Sequence, residues 1–382
     1  MIAPPTGIED TMNFNFIEQV GDFCHYLTLA EIHAHTRSLA DKPGFRVETI
    51  GHSRMGRDIE LVSYGTGGRP TILLWGFEDP HEPICALSQR WLWAQLADAN
   101  SPIHDLGHDW AFIPCLHPDG VLRNEQWFHH PGDLRMFLNW SWEEDNTFYG
   151  PPQSSEQFTL EEAIVRVRPE LLFGMHDESH FPGHGYWALV SDEQVQDKLD
   201  VHFEYESRIG VLPVPAPVKP QGMRNSWYHG RAHGMTGRCL SMICEPRAYR
   251  RLKPPRDADD EVRAHFMSAL SEYDSAVREV VPSSEDERAL TQCAATCIER
   301  MQKEWLFFVC VGSCALRVLK THGKDALADI IEQAFWDYLN ARLDGTYTTI
   351  PIGDQVRIQL HFLFSVIEEA KGRKTFNSNR TE

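Results

Sequence analysis

The 382-residue chain contains no uninterrupted apolar run of about 18 residues, the length needed to cross a bilayer as a helix. Its first residues include acidic side chains where a secretory leader carries basic and then apolar ones. From these two absences we expect a soluble, cytoplasmic protein that does not act at a membrane.

Basic residues are scarce, with 36 Lys and Arg against 55 Asp and Glu and a net charge of −19. Nucleic acid is therefore not an expected partner, because its recognition needs a concentrated basic surface. The nine cysteines are an odd number in a chain without a leader, which favours reduced thiols over a disulfide framework. No internal repeat is present, and the 42% hydrophobic content is typical of a globular protein.

Apolar runs of strand length alternate with helical patterns through most of the chain. Thr71–Gly76 and Leu171–Met175 are continuous apolar runs, as expected for strands buried on both faces. Further strands are predicted at 110–115 and 240–244, and helices at 83–97, 159–167 and 259–281. The pattern predicts an α/β fold, with a mixed, mostly parallel sheet flanked by helices on both faces.

After Pro282 the pattern changes to three helical stretches, at 285–320, 324–342 and 354–371. We therefore predict two domains, a catalytic domain at 1–281 and an all-helical C-terminal addition at 282–382. The addition is also a candidate surface for homo-oligomer contacts.

Ligands of α/β sheets collect at the carboxyl ends of the strands, so the segment GFEDPHEPI after Thr71–Gly76 is the first candidate site. Asp79 and Glu82 are three residues apart, and such a pair can converge on one cation from a strand-to-helix turn. The same spacing pairs Glu78 with His81, so a register that uses His81 with Glu78 or Glu82 stays open. His176, at the end of the next buried strand, would complete a set of three protein ligands for a catalytic zinc ion.

Seven segments follow one another between about residues 27 and 281: GHSRMGR, DPHEPI, HPDGV, LRMFLNW, SSEQFTLEEAI, MHDES and ICEP. In this order they resemble the zinc carboxypeptidase family of carboxypeptidase A-like metallopeptidases. The relatives of this family include the deacylases that cleave succinylglutamate and acetylaspartate.

This resemblance implies zinc as the cofactor, with Asp79, Glu82 and His176 as its ligands. It implies that Glu245 is the general acid/base and that Arg135 polarises the scissile carbonyl and stabilises the oxyanion.

The resemblance also implies a substrate site, in which Asn139 meets the terminal carboxylate. Tyr228 is the candidate for the family's late tyrosine. Trp140 stands where the family has the arginine that grips that carboxylate. Because Trp cannot make the bidentate contact of Arg, the substrate would instead stack on Trp140, or another arginine would substitute. The candidates for that substitution are Arg123, Arg224 and Arg247.

Asp79 stands where the family has its first ligand histidine. A carboxylate binds zinc at a similar distance but adds negative charge, which should weaken the Lewis acidity of the ion. Slower hydrolysis, or a preference for another divalent metal such as manganese, would follow.

The sequence thus predicts a metallocarboxypeptidase-type hydrolase that cleaves an amide or peptide bond in a peptide or small amide substrate. Two alternatives stay open: a catalytically silent relative that binds a peptide or small molecule, and a deacylase of N-acyl amino acids. Structural roles are also open for the same residues. Asp79 and Glu82 could cap the helix that begins near Pro83, and Glu245 could pair with Arg247 or Arg238.

Overall fold

The computed structural model describes residues 14–132, 154–177, 187–192, 195, 239–246, 248–251, 259–283, 288, 291, 318–320, 322–343 and 347–371. The strands are β1 Phe45–His52, β2 Asp58–Tyr64, β3 Thr71–Gly76, β4 Asp109–Ile113, β5 Leu171–Met175, β6 Trp187–Val190, β7 Leu240–Glu245, β8 Tyr249–Arg251 and β9 Tyr347–Thr349. The α-helices are α1 Leu29–Arg37, α2 Ile84–Ala97, α3 Pro118–Phe128, α4 Ser155–Val167, α5 Asp260–Arg278, α6 Asp325–Leu343 and α7 Ile352–Lys371. Two short 3-10 helices span Phe14–Gln19 and Pro102–Leu106.

Seven of these strands form one mixed sheet in the order β1-β2-β4-β3-β5-β7-β6. The four inner strands β4, β3, β5 and β7 are parallel to one another. The outer strands β1, β2 and β6 pair antiparallel. The predicted mixed sheet is therefore confirmed, with its parallel part at the centre.

Strand β3 shows why the centre of the sheet is apolar on both faces. Ile72 and Leu74 join the large core that contains residues of α2 and α7. Leu73 and Trp75, which point the other way because side chains alternate along a strand, pack in a second core with residues of α4. Helices thus cover both faces of the sheet, as predicted.

Helix starts follow local sequence signals. Thr28 caps α1 in a capping box with Glu31, whose Oε2 accepts from the Thr28 backbone N at 2.8 Å. The segment HPDGV begins helix α3, with Pro118 in its first turn. Proline suits that position because its missing N–H has no intrahelical acceptor there.

The predicted helices near the C-terminus are confirmed at α6 and α7. The all-helical prediction for this region is wrong in one detail, since β9 pairs antiparallel with β8. Its sequence YTT is rich in aromatic and β-branched residues, which favour strands. Most of the helix predicted at 285–320 lies outside the described residues.

Helix α7 packs against the sheet and against α2. The Phe362 ring lies 6.0 Å from Phe173 of β5, and the Phe364 ring lies 6.3 Å from Trp91 of α2. Its apolar residues belong to the same core as those of β3 and β5. The division into domains at 281/282 stays a prediction. Across the part of the chain described, no helix is both long and apolar enough to span a bilayer.

Candidate metal centre

The candidate site lies where β3 and β5 end beside each other. These strands are parallel neighbours, with Gly76 opposite Met175. The residues that follow Gly76 and those that follow Met175 therefore leave the sheet at the same edge. This arrangement brings the DPHEP segment close to His176.

The turn after β3 begins with an unusual backbone conformation. Phe77 has φ of 56°, in the left-handed region that non-glycine residues rarely adopt. Such a conformation costs on the order of 1 kcal/mol and persists where packing holds it. Phe77 is fully buried, and its ring lies 6.3 Å from that of Phe128. Burial of this side chain therefore sets the direction in which the next residues leave the strand.

Helix α2 then fixes the position of the turn. The backbone N of Glu82 donates to the Asp79 carbonyl at 3.0 Å, and the backbone N of Ile84 donates to Oδ2 of Asp177 at 2.9 Å. Asp177 follows His176, so this second bond ties the first turn of α2 to the end of β5. The N-cap residue of α2 is Pro83, which makes no side-chain capping hydrogen bond.

Asp79, Glu82 and His176 form a compact, buried cluster. Each offers one ligand atom, and the three atoms lie within 4.8 Å of one another. Nδ1 of His176 is 2.8 Å from Oε2 of Glu82 and 3.3 Å from Oδ2 of Asp79. Two carboxylate oxygens thus face the same imidazole nitrogen.

The electrostatics of the cluster suit a cation. Burial acts to lower the pKa of His176, but the charge of Glu82 and the contacts with Asp79 and Glu78 outweigh it, so that pKa lies well above its usual range. Burial and the Asp79 charge raise the pKa of Glu82, with a further contribution from Glu245. His176 and Glu82 therefore keep their protons to a higher pH than usual. A divalent ion bound at the cluster would compensate the same negative charge.

The donor set fits such an ion. Within the described residues, both ring nitrogens of His176 and Oε2 of Glu82 make no hydrogen bond of acceptable geometry, although all three are buried. Unsatisfied buried polar atoms are costly, and lone pairs that converge on one point are the arrangement that a shared cation would satisfy. Carboxylate oxygen and imidazole nitrogen both bind zinc, at similar distances.

His81 lies at the edge of this cluster. It is buried, and its Nε2 is 3.7 Å from Oε1 of Glu82, the oxygen that does not face His176. The group of ligand atoms within 4.8 Å contains Asp79 and not His81, and the assignment of Asp79 as a metal ligand stays a prediction.

Glu245 lies one strand away. It is the last residue of β7, and Cys244 pairs with Met175 in the parallel ladder. Glu245 consequently leaves the sheet beside His176, and its charge acts on Glu82. Its side chain is half-buried.

The other predicted site residues are mostly not described. Arg135, Asn139, Trp140 and Tyr228 lie outside the described residues, as do Arg224 and Arg247. Arg123 lies on α3 and is exposed.

Three of the sequence motifs meet at one point. Asp119, from HPDGV, accepts hydrogen bonds from Ser53 Oγ at 2.9 Å, the Met55 backbone N at 2.9 Å and Arg57 Nη1 at 2.5 Å. Glu156, from SSEQF, accepts from the Arg54 backbone N at 2.9 Å. These two acids therefore organise the GHSRMGR turn, a structural role that the motifs alone do not reveal.

Two contacts of His176 are not predicted by the sequence. Oε2 of Glu78 lies 3.3 Å from Nε2 of His176, whereas Asp79 and Glu82 face Nδ1. Nε2 of Gln359, on α7, donates to the backbone carbonyl of His176 at 3.1 Å. The spacing in the turn pairs Glu78 only with His81, and no local pattern in the sequence points to Gln359.

No family model matches the chain, and no curated protein matches it. Among solved structures, the chain is similar to a putative carboxypeptidase A from Shewanella denitrificans, with 14% identity and a TM-score of 0.43, over 57% of this chain and 59% of that one. It is similar to a metallo-carboxypeptidase from Burkholderia cenocepacia, with 18% identity and a TM-score of 0.42, over 57% and 60%. It is also similar to carboxypeptidase A from Helicoverpa armigera, with 15% identity and a TM-score of 0.44, over 59% and 65%.

The matched region spans less than two thirds of each of these proteins. All three are named as carboxypeptidases, the class that the sequence motifs resemble. The relation to the deacylases of succinylglutamate and acetylaspartate stays a prediction.

Proposed function

We propose that the chain is a metal-dependent hydrolase of amide or peptide bonds, with Asp79, Glu82 and His176 as the ligands of one zinc ion. The observation that carries this proposal is the convergence of three buried ligand atoms within 4.8 Å at the carboxyl ends of β3 and β5. A bound zinc ion would supply Lewis acidity and lower the pKa of a water molecule.

Glu245 is the proposed general acid/base. A carboxylate at the end of β7, beside His176, would take a proton from the attacking water and pass it to the leaving amine. Its electrostatic effect on Glu82 supports this proximity. Arg135 is the proposed oxyanion stabiliser, and Asn139, Trp140 and Tyr228 the substrate contacts, on the strength of the motif resemblance.

The proposed substrate is a peptide or a small amide. A deacylase of N-acyl amino acids uses the same chemistry, and the two differ in which end of the substrate is recognised. Peptides with free and with amidated C-termini, assayed beside N-acetyl amino acids, separate them: loss of turnover on amidation supports the carboxypeptidase, and preference for the N-acetyl amino acids supports the deacylase.

A catalytically silent binding protein is a second candidate, favoured by the acidity of the centre. Three carboxylates, Glu78, Asp79 and Glu82, lie within 4 Å of His176. Their charge would reduce the Lewis acidity of a bound zinc ion. Such a protein would bind peptide or small molecule without turnover, and manganese is the alternative metal for an oxygen-rich site.

The test combines metal content with turnover. After dialysis against metal-free buffer and reloading, the native chain should hold about one zinc ion, as expected for a single three-ligand site. His176→Ala should hold none, whereas Glu245→Gln should hold zinc normally and lose nearly all hydrolysis. Glu279→Gln, the same change at an exposed carboxylate, is the control.

Full zinc occupancy in His176→Ala would rule out the proposed ligand set. Normal hydrolysis by Glu245→Gln would remove that residue from the mechanism. A native chain that binds zinc but hydrolyses none of the amides would support the silent binding protein.

The cytoplasmic location, the domain division at 281/282 and self-association through residues 282–382 also stay proposals. Cell fractionation, limited proteolysis and sedimentation velocity test them in turn.

A further inference from the structure

One carboxylate oxygen lies between two neighbouring side chains at the edge of the metal centre. Oε2 of Glu78 lies 2.8 Å from the indole Nε1 of Trp75 and 3.3 Å from Nε2 of His176. Trp75 is fully buried, and the side chain of Glu78 is 12% exposed. The charge of Glu78 therefore acts on His176 in surroundings that screen it poorly.

The two nitrogens of His176 have different surroundings. Nδ1 faces the carboxylates of Asp79 and Glu82, and Nε2 faces Glu78. An imidazole can bind a metal through Nδ1 only when that nitrogen has a free lone pair, so the ring proton must reside on Nε2. A carboxylate opposite Nε2 stabilises that tautomer and makes Nδ1 a better donor.

We propose that Glu78 is a positioning residue of the metal centre, which holds His176 as the Nδ1 ligand of a divalent cation. Trp75 in turn fixes the carboxylate of Glu78 through its indole N–H. This inference rests on the proposed metal centre and assigns a role to a residue that the ligand motif does not include.

The geometry separates Glu78 from the ligands themselves. Its oxygen lies 3.3 Å from Nε2, whereas Asp79 and Glu82 face Nδ1, and the compact ligand group contains Asp79, Glu82 and His176. The left-handed conformation of Phe77 directs the following residue, Glu78, back toward Trp75. The strained turn thus serves both the ligands and the residue that orients one of them.

The experiment measures zinc affinity by competition with a chromophoric chelator, on the full chain. Glu78→Gln keeps the shape of the side chain and removes its charge, and should weaken zinc binding by about 10–100-fold, the range found when such outer partners are removed. Its zinc stoichiometry should stay at that of the native chain. The control Glu279→Gln should bind zinc as the native chain does.

A double-mutant cycle tests the part played by Trp75. Trp75→Phe should weaken zinc binding by less than Glu78→Gln does. Once Glu78 is Gln, the added Trp75→Phe change should have an effect of less than about threefold, since the charge it positions is gone. If Glu78→Gln does not fold, Glu78→Asp replaces it, because the shorter side chain keeps the charge and loses the reach to Nε2.

The outcomes separate this inference from the proposed function. A native chain that binds no zinc overturns both. Native zinc affinity in Glu78→Gln overturns the positioning role alone. Loss of all zinc from Glu78→Gln, as in His176→Ala, would make Glu78 a ligand and would equally overturn the positioning role. Full additivity in the double-mutant cycle would show that Trp75 does not act through Glu78.

Discussion

The contact between the end of β3 and the first turn of α2 has no room for one added methyl group. A Cβ on Gly76 would lie 2.7 Å from Cβ of Cys85, whereas two carbon atoms pack best at about 3.5–4.0 Å. Gly76→Ala must therefore push α2 from the sheet by about 1 Å. The sulfur of Cys85 donates to the Glu82 carbonyl at 3.3 Å, so Glu82 would move with it and away from His176.

The expected size of the effect follows from two opposing terms. Overpacking of a close-packed core costs about 1–3 kcal/mol. Replacing glycine by alanine stabilises the fold by about 0.4–1 kcal/mol, because it lowers the conformational entropy of the unfolded chain. We expect Gly76→Ala to lose about 1–2 kcal/mol of unfolding free energy, and to bind zinc about tenfold more weakly because a ligand is displaced.

Urea denaturation of the zinc-free chain and chelator competition measure the two effects. Gly76→Ala combined with Cys85→Gly removes the clashing side chain, and should bind zinc within about threefold of Cys85→Gly alone. If Gly76→Ala is as stable as the native chain and binds zinc as well, the close approach of α2 to β3 is wrong. A double variant without recovery would mean that the clash is not the cause.

Three further outcomes are expected. Gln359→Leu leaves the buried His176 carbonyl without its donor, and should lose about 1–2 kcal/mol of stability in urea and weaken zinc binding. Gln355→Leu, one turn away, should affect stability alone. Contacts with His33 and Arg37 hold the pKa of Glu60 below its usual range, although burial opposes them. Glu60 therefore stabilises the fold above about pH 4.5, and this contribution is lost as the pH falls through its pKa. Glu60→Gln should therefore be about 1–3 kcal/mol less stable than the native chain at pH 7, with a difference that shrinks in urea titrations below pH 4. Zinc at 100 times its Kd should stabilise the native chain by about 2.7 kcal/mol and leave the denaturation midpoint of His176→Ala unchanged.

The sequence predicted those features that depend on local pattern. The apolar runs of β3 and β5 identified strands buried on both faces, because helices cover the sheet on each side. The general rule that ligands gather at the carboxyl ends of parallel strands then pointed to the GFEDPHEPI segment and His176, and the motif resemblance implied Asp79, Glu82 and His176 as the ligands. The choice between Asp79 and His81 could not be made by spacing, since both lie in the same turn.

Other features depend on contacts between distant residues. The direction of Glu78 follows from the left-handed backbone of Phe77. The sequence of the turn does not indicate that the Phe77 ring is buried beside Phe128. Asp119 lies in the first turn of α3, and its carboxylate binds the distant GHSRMGR turn. The pairing of Gln359 with His176 joins residues 183 positions apart, and no periodic pattern reports it.

That last pairing has a consequence for the order in which the protein is made. At about 5–20 residues per second, a ribosome that has just added His176 needs about 10–40 s more to reach Gln359, 183 positions later. During this interval the nascent polypeptide already carries Asp79, Glu82 and His176. The backbone carbonyl of His176 does not yet have its hydrogen-bond donor, Gln359. Early capture of an ion and late arrival of α7 would then be separate events in biogenesis.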